Sequence, residues 1–227
     1  MRYQYILFDL DGTLFDYDKA ERAALGKTFR QFGLEFSPEY LDIYRTINRQ
    51  IWQDYEKGFI SQTTLKTARF KRLADKLLVD YNAESFSRQY LVNLSECTDL
   101  IDDAPEMLKK IPAEIELYLI TNGLKSVQRP RISASTIKPY FKDIIISEEV
   151  GSAKPAAEIF DKTFKIMGMP SKKEVLIVGD SLTSDIAGGV NYGIDTCWYN
   201  PQRTINDNGF HPTYEIQHLI QLDSIIK

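Results

Sequence analysis

Short apolar runs recur at Tyr5 to Phe8, Leu117 to Thr121, Ile144 to Ser147, Val175 to Val178 and Thr196 to Tyr199, and segments of helical period separate the later ones. This pattern predicts an α/β fold in which a doubly wound parallel sheet is covered by helices on both faces. One interval breaks the alternation. From about Asp16 to Leu94 no strand pattern is visible, yet apolar residues recur at helical spacing: Ala20, Ala24 and Phe29, then Leu41, Tyr44, Ile47 and Ile51, then Leu65, Ala68, Phe70, Leu73 and Leu77. A helical insert of that length directly after the first strand predicts a separate bundle. The expected division is an α/β core of residues 1–15 and 99–227 and a helical domain of residues 16–98, hinged at Phe15 to Asp18 and Ser95 to Asp102.

Local signals agree with this division. Asp103, Pro105 and Glu106 have capping-box-like spacing for a helix start, and Gly193 is a stop for the helix after Asp185. Gly58 and Ser61 read as a stop followed by a start, at a turn where the insert could reach toward the core. Trp52, Tyr55 and Phe59 recur at helical spacing, which reads as the insert's own core, although such rings can also stack on a flat ligand. His211 and His218 stand alone in a C-terminal stretch that reads as a short strand and a helix around Ile216, Leu219 and Leu222. A chain of 227 residues with 28 basic and 32 acidic side chains, net −4, carries no electrostatic footprint for nucleic acid. Cys97 and Cys197 match no metal-ligand spacing and read as reduced thiols. No signal-peptide pattern follows Met1 and no run approaches membrane-spanning length, so a soluble cytoplasmic protein is expected.

The chemistry gathers where strands end. Asp9 and Asp11, in Phe8-Asp-Leu-Asp-Gly-Thr-Leu14, are two apart and can face one centre from the first strand, after which Gly12 lets the backbone turn. Carboxylates so placed can hold a hard cation while one attacks and the other moves a proton, although Asp-Gly after an apolar run is also ordinary turn chemistry. Three more segments follow in order: Thr121-Asn122-Gly123, Ser152-Ala153-Lys154-Pro155, and Gly179-Asp180-Ser181-Leu182-Thr183-Ser184-Asp185. Read singly, they are a polar turn, a loop lysine, and a turn leading to a helix start.

Together the four segments resemble the signature motifs of the haloacid dehalogenase-like (HAD) hydrolase superfamily, from end to end of the chain. The resemblance implies a Rossmann-like core whose first strand lies between the second and fourth, and a helical cap inserted after that first strand. It implies that Asp9 attacks phosphorus and that Asp11 serves as acid and then base. Lys154 would hold Asp9 and neutralise the transferring phosphoryl group, and Thr121, Asn122 and Gly123 would bind phosphate. Mg²⁺ would sit on Asp9, Asp180 and the backbone carbonyl of Asp11, with Asp185 as outer support.

Asp11 itself favours a phosphatase or phosphomutase over a haloacid dehalogenase, which lacks an acid there. Trp52-x-x-Tyr55-Glu56-x-Gly58-x-Ile60, Arg69-Phe70 and Asp185 to Trp198 resemble the branch of 5′-nucleotidases acting on pyrimidine or non-canonical nucleoside monophosphates. The expected partner is therefore a small phosphate monoester, not nucleic acid or membrane, bound by a monomer or weak homo-oligomer. A phosphatase or mutase for a small sugar phosphate or phosphoglycolate is the alternative enzyme. An idle binding protein is the alternative class, although such a copy would be expected to lose an acid or the lysine. Gln128-Arg129-Pro130-Arg131 departs from the pattern, with a proline near the expected start of a helix, where it could shift the loop after Thr121.

Overall fold

The structure is a computed structural model that describes residues 2–206 and 209–226. Among these, the strands are β1 (Tyr5–Phe8), β2 (Glu116–Thr121), β3 (Phe141–Ile146), β4 (Val175–Gly179), β5 (Asp195–Tyr199) and β6 (Tyr214–Ile216). The helices are α1 (Tyr17–Gln31), α2 (Pro38–Glu56), α3 (Gln62–Leu77), α4 (Ala83–Ser95), α5 (Ala104–Lys110), α6 (Lys125–Ala134), α7 (Ser147–Val150), α8 (Ala157–Ile166), α9 (Ala187–Tyr192) and α10 (Asp223–Ile226). Among the described residues no helix is long and apolar enough to cross a membrane.

The strands form one sheet in the order β3-β2-β1-β4-β5-β6, and every neighbouring pair is parallel. Side chains alternate between its faces, so each apolar strand feeds two cores. Ile6, Phe8, Leu117, Leu119, Leu176 and Val178 pack with Met107 and Leu108 of α5 and with Leu219, Leu222 and Ile226. Leu7, Tyr118, Ile120, Val175 and Ile177 pack with Ile159, Phe160 and Phe164 of α8. The winding reverses between β1 and β4, where the strand ends leave a crevice suited to a ligand.

Helices α1 to α4 fill the interval where the strand pattern failed. Asp16, Ser61 and Asn82 accept backbone amides at the starts of α1, α3 and α4, as N-caps do. Their buried faces meet in an aromatic cluster in which Phe86 packs against Phe29 at 5.2 Å, Phe32 at 5.0 Å, Phe70 at 5.4 Å and Tyr81 at 4.2 Å between centroids. Leu124 and Val127 of the α6 region join the same cluster. The segments that lead into and out of the bundle lie side by side: Asp16 N donates to Asp99 O, and Ile101 N to Leu14 O, each at 2.9 Å. Removing the central ring is expected to be costly. Phe86→Ala should lower stability by about 3–5 kcal/mol, read as a lower urea midpoint in tryptophan fluorescence; a change below about 1 kcal/mol would contradict this packing.

Several local expectations change. β3 starts at Phe141, and Ser147 opens α7, because the outer half of this edge strand is half-exposed and polar and gives no apolar signal. Asp103 precedes α5 without capping it; its Oδ2 accepts from Ile220 N at 3.2 Å and ties the C-terminal segment down. Pro130 lies inside α6, not near its start, and is exposed, so water can satisfy the carbonyl it leaves unpaired. Phe59 is 75% exposed, because α2 ends at Glu56 and helical spacing no longer applies beyond it. Trp52 and Tyr55 are half-buried and touch edge to face at 5.9 Å.

Candidate active site

Asp9 follows β1 directly and its amide still donates to Val178 O of β4, so the strand pairing fixes its backbone. Gly12 then turns with φ +86°, and a Cβ there would lie 2.6 Å from Asp180 Oδ2. Only glycine allows that approach. Thr13 Oγ1 donates to Asp180 Oδ1 at 3.3 Å, and Trp198 Nε1 donates to Asp180 O at 2.9 Å. Two loops distant in sequence are thereby locked together at the switch point.

Lys154 is fully buried, and its ammonium has three protons with three acceptors: Asp9 Oδ1 at 2.6 Å, Asp185 Oδ1 at 2.6 Å and Ile120 O at 2.7 Å. Burial pulls this amine down, but the Asp185 and Asp9 carboxylates outweigh it and hold it above the ordinary lysine range. The loop that carries it is clamped by Asn122, whose Nδ2 donates to Lys154 O and whose Oδ1 accepts from Lys154 N, both at 2.7 Å. Asp185 Oδ2 also accepts from Ser181 N, so this buried acid orients both the lysine and the loop after β4.

Oxygens of Asp9, Asp180 and Asp185 lie within 4.8 Å of one another. Three carboxylates against one ammonium leave the cluster short of positive charge. Burial, together with Asp185 and Asp180, raises Asp9 against the pull of Lys154. Asp180 opens to solvent on one side but is ringed by protein on the others, and burial followed by Asp185 pushes it up to about 7. An all-oxygen, charge-deficient cluster with one open edge fits a hard divalent cation.

Asp11 is held differently. Its Oδ1 accepts from Arg131 Nη1 and its Oδ2 from Gln128 Nε2, each at 2.5 Å, and Gln128 Nε2 also reaches Thr121 Oγ1 at 3.4 Å. Arg131 is wholly buried, donates from Nε to Cys97 O at 2.8 Å and lies over the Phe15 ring. A Cβ on residue 123 would lie 2.5 Å from Gln128 Cγ and Nε2, so a larger residue there would displace the side chain that holds Asp11. Sequence reasoning treated Gln128 and Arg131 only as a departure. The signal available was their i, i+3 spacing, which puts both on one face of a helix following Thr121-Asn122-Gly123.

All of these acids border one cavity of about 230 Å³, with Thr121, Asn122 and Gly123 on its core side. Tyr17, Asn48, Trp52, Glu56 and Arg69 line it from the helical insert. Glu56 Oε1 accepts from Asn122 Nδ2 at 3.3 Å, and Lys66 of α3 pairs with Glu148 of α7 at 2.9 Å, so insert and core touch at the mouth of the site.

The family profile of the haloacid dehalogenase-like hydrolases matches residues 6–199, which contain all four motifs. The chain belongs to the haloacid dehalogenase-like hydrolase family. Within this HAD family it is 36% identical to the pyrimidine 5′-nucleotidase PynA of Streptococcus pneumoniae, across 95% of this chain and 92% of that protein. It is 32% identical to the pyrimidine 5′-nucleotidase YjjG of Escherichia coli, across 100% and 99%. The HAD hydrolase YfnB of Bacillus subtilis, solved bound to magnesium, superposes with a TM-score of 0.94 at 35% identity, covering all of both chains. Membership accounts for the sheet order, with β1 between β2 and β4 as the resemblance implies.

Proposed function

We propose that this HAD hydrolase cleaves phosphate monoesters through an aspartyl-phosphate on Asp9, and that its substrates are pyrimidine or non-canonical nucleoside 5′-monophosphates. The observation that carries the first half is the placement of Asp9: anchored at the head of the central strand, hydrogen-bonded to Lys154 and bordering the cavity with Asp11 and Asp180. The second half is supported by two pyrimidine 5′-nucleotidases that align with nearly the whole chain, cap included.

In the first step an Asp9 carboxylate oxygen attacks phosphorus, the bond from phosphorus to the ester oxygen breaks, and Asp11 gives a proton to the departing oxygen. In the second, Asp11 takes a proton from water as that water attacks the same phosphorus, releasing phosphate and restoring the Asp9 carboxylate. Lys154 fixes the Asp9 oxygen it holds and offsets charge on the phosphoryl group. Arg131 and Gln128 donate to the two oxygens of ionised Asp11, the form that takes the proton from water in the second step; to serve as the acid in the first, Asp11 enters protonated on an oxygen released by one of these donors. Asp9 and Asp180, with the Asp11 carbonyl, would hold Mg²⁺ and Asp185 would support them; the ion supplies positive charge that lets an anionic nucleophile approach an anionic ester. Thr121, Asn122 and Gly123 would receive the phosphate oxygens, while the Asn122 side chain keeps the Lys154 loop in place. Residues 16–98 act as a cap closing over the leaving group, and residues 1–15 and 99–227 act as the catalytic core.

A substrate panel tests this reading. With Mg²⁺ present, kcat/KM for dUMP, dTMP and UMP should exceed that for 2-deoxyribose 5-phosphate and phosphoglycolate by at least tenfold, since the core reads only the phosphoryl group and the cap must read the rest. A tenfold preference for phosphoglycolate or a sugar phosphate would remove the nucleotidase assignment and leave the phosphatase chemistry standing.

A further inference from the structure

Arg69 of α3 is only 2% exposed, yet it lines the active-site cavity. A guanidinium keeps its charge at any pH a protein meets and offers five donors, so burying one is costly unless it is paired. Here the pairing is incomplete. Among the described residues no carboxylate lies within ion-pair distance of Arg69; its single hydrogen bond runs from Nη1 to Asn48 Oδ1 at 2.8 Å, and Nε has no partner. It is otherwise held by ring faces, 5.0 Å above Phe70 and 5.4 Å above Tyr90.

Asn48 is already engaged within the protein. Its oxygen is taken by Arg69, and its amide is directed to Glu21 Oε1 at 3.3 Å and Tyr17 Oη at 3.5 Å. Glu21 is in turn held by Arg45 at 2.8 Å. This chain of side chains orients Arg69 and leaves donors of it for whatever occupies the cavity. The same cavity has an aromatic ring and apolar side chains in its lining, Trp52, Leu91 and Leu94. A planar ring with a polarised carbonyl at its edge meets both demands: apolar faces for the walls, an acceptor for the cation.

We propose that Arg69, positioned by Asn48, donates to a ring carbonyl oxygen of the pyrimidine in the leaving nucleoside, and so sets the cap's preference for nucleotides. The inference rests on the nucleotidase reading and deepens it. A carbonyl at position 2 is common to uracil, thymine and cytosine, so one donor would serve all three.

The test compares catalytic efficiencies for dUMP and for 2-deoxyribose 5-phosphate, which carries the same phosphate and sugar without the base, in the wild-type protein, Arg69→Gln and Arg69→Lys. The ratio of the two should fall roughly 10- to 100-fold in Arg69→Gln, because a charged donor to a desolvated acceptor is lost. Arg69→Lys, which keeps the cation but not the fork, should lose less. If Arg69→Gln does not fold, the lysine variant decides, with an expected fall of at least roughly threefold. A ratio unchanged within twofold in the folded variants overturns the assignment of Arg69 while leaving the nucleotidase reading intact. A wild-type protein with no preference for dUMP over the base-free ester overturns both. A variant that loses phosphoglycolate hydrolysis more than dUMP hydrolysis also overturns it, since Arg69 would then serve a carboxylate.

Discussion

Asp9→Asn should lose turnover by roughly 10⁴-fold or more and form no phosphoenzyme, because an amide is a poor nucleophile. The fold should survive. Lys154 would keep two of its three acceptors, Asp185 and Ile120 O, so the buried ammonium is not left bare. The backbone of residue 9 remains fixed by its bond to Val178 O. Circular dichroism and the thermal midpoint report the fold, and steady-state hydrolysis of dUMP reports the chemistry. A folded variant with activity within tenfold of wild type would mean that another group attacks.

Excess chelator should abolish hydrolysis, and added Mg²⁺ should restore it. Asp180→Asn should raise the Mg²⁺ concentration for half-maximal rate by at least roughly tenfold, since it removes a charge from the open edge of the cluster. Proton competition sets the direction with pH. In the metal-free cluster Asp180 titrates at about 7, above the ordinary carboxylate value, and the ion binds the ionised form. More Mg²⁺ should therefore be needed as pH falls through 7. Full activity in excess chelator, or a Mg²⁺ requirement unmoved in Asp180→Asn, would contradict the placement of the metal.

The core was legible in the sequence because strands buried on both faces carry an uninterrupted apolar signal, which Leu7, Leu119 and Ile177 exemplify with no exposed surface. The bundle was legible because its helices are amphipathic and are bounded by caps such as Asp16 and Ser61. The half-exposed start of β3 and the turn at Phe59 were not, since an edge strand and an exposed turn place no apolar period on the chain. Asp9 and Asp180 could be singled out because each sits in a short motif at a strand end, and Lys154 because its motif falls between them in the expected order. The structure brings all three together. Glu56 and Arg69 were read only as part of the branch resemblance, and Gln128 and Arg131 only as a departure from it, because their place in the site depends on packing between segments far apart in sequence. Arg131, for example, bonds Cys97 O and Asp11 from a third element. No local pattern encodes that meeting.

The central claim is that phosphoryl transfer passes through Asp9. An acyl phosphate, unlike a carboxylate, is reduced by borohydride to an alcohol, so quenching the enzyme into borohydride during turnover of dUMP should convert residue 9 to homoserine. Peptide mass spectrometry should then find homoserine at position 9, dependent on both substrate and Mg²⁺, with Asp11, Asp180 and Asp185 unchanged. Reduction at another aspartate, or an unmodified Asp9 in enzyme quenched while it is turning over under conditions where the second step is slowed, would contradict the mechanism.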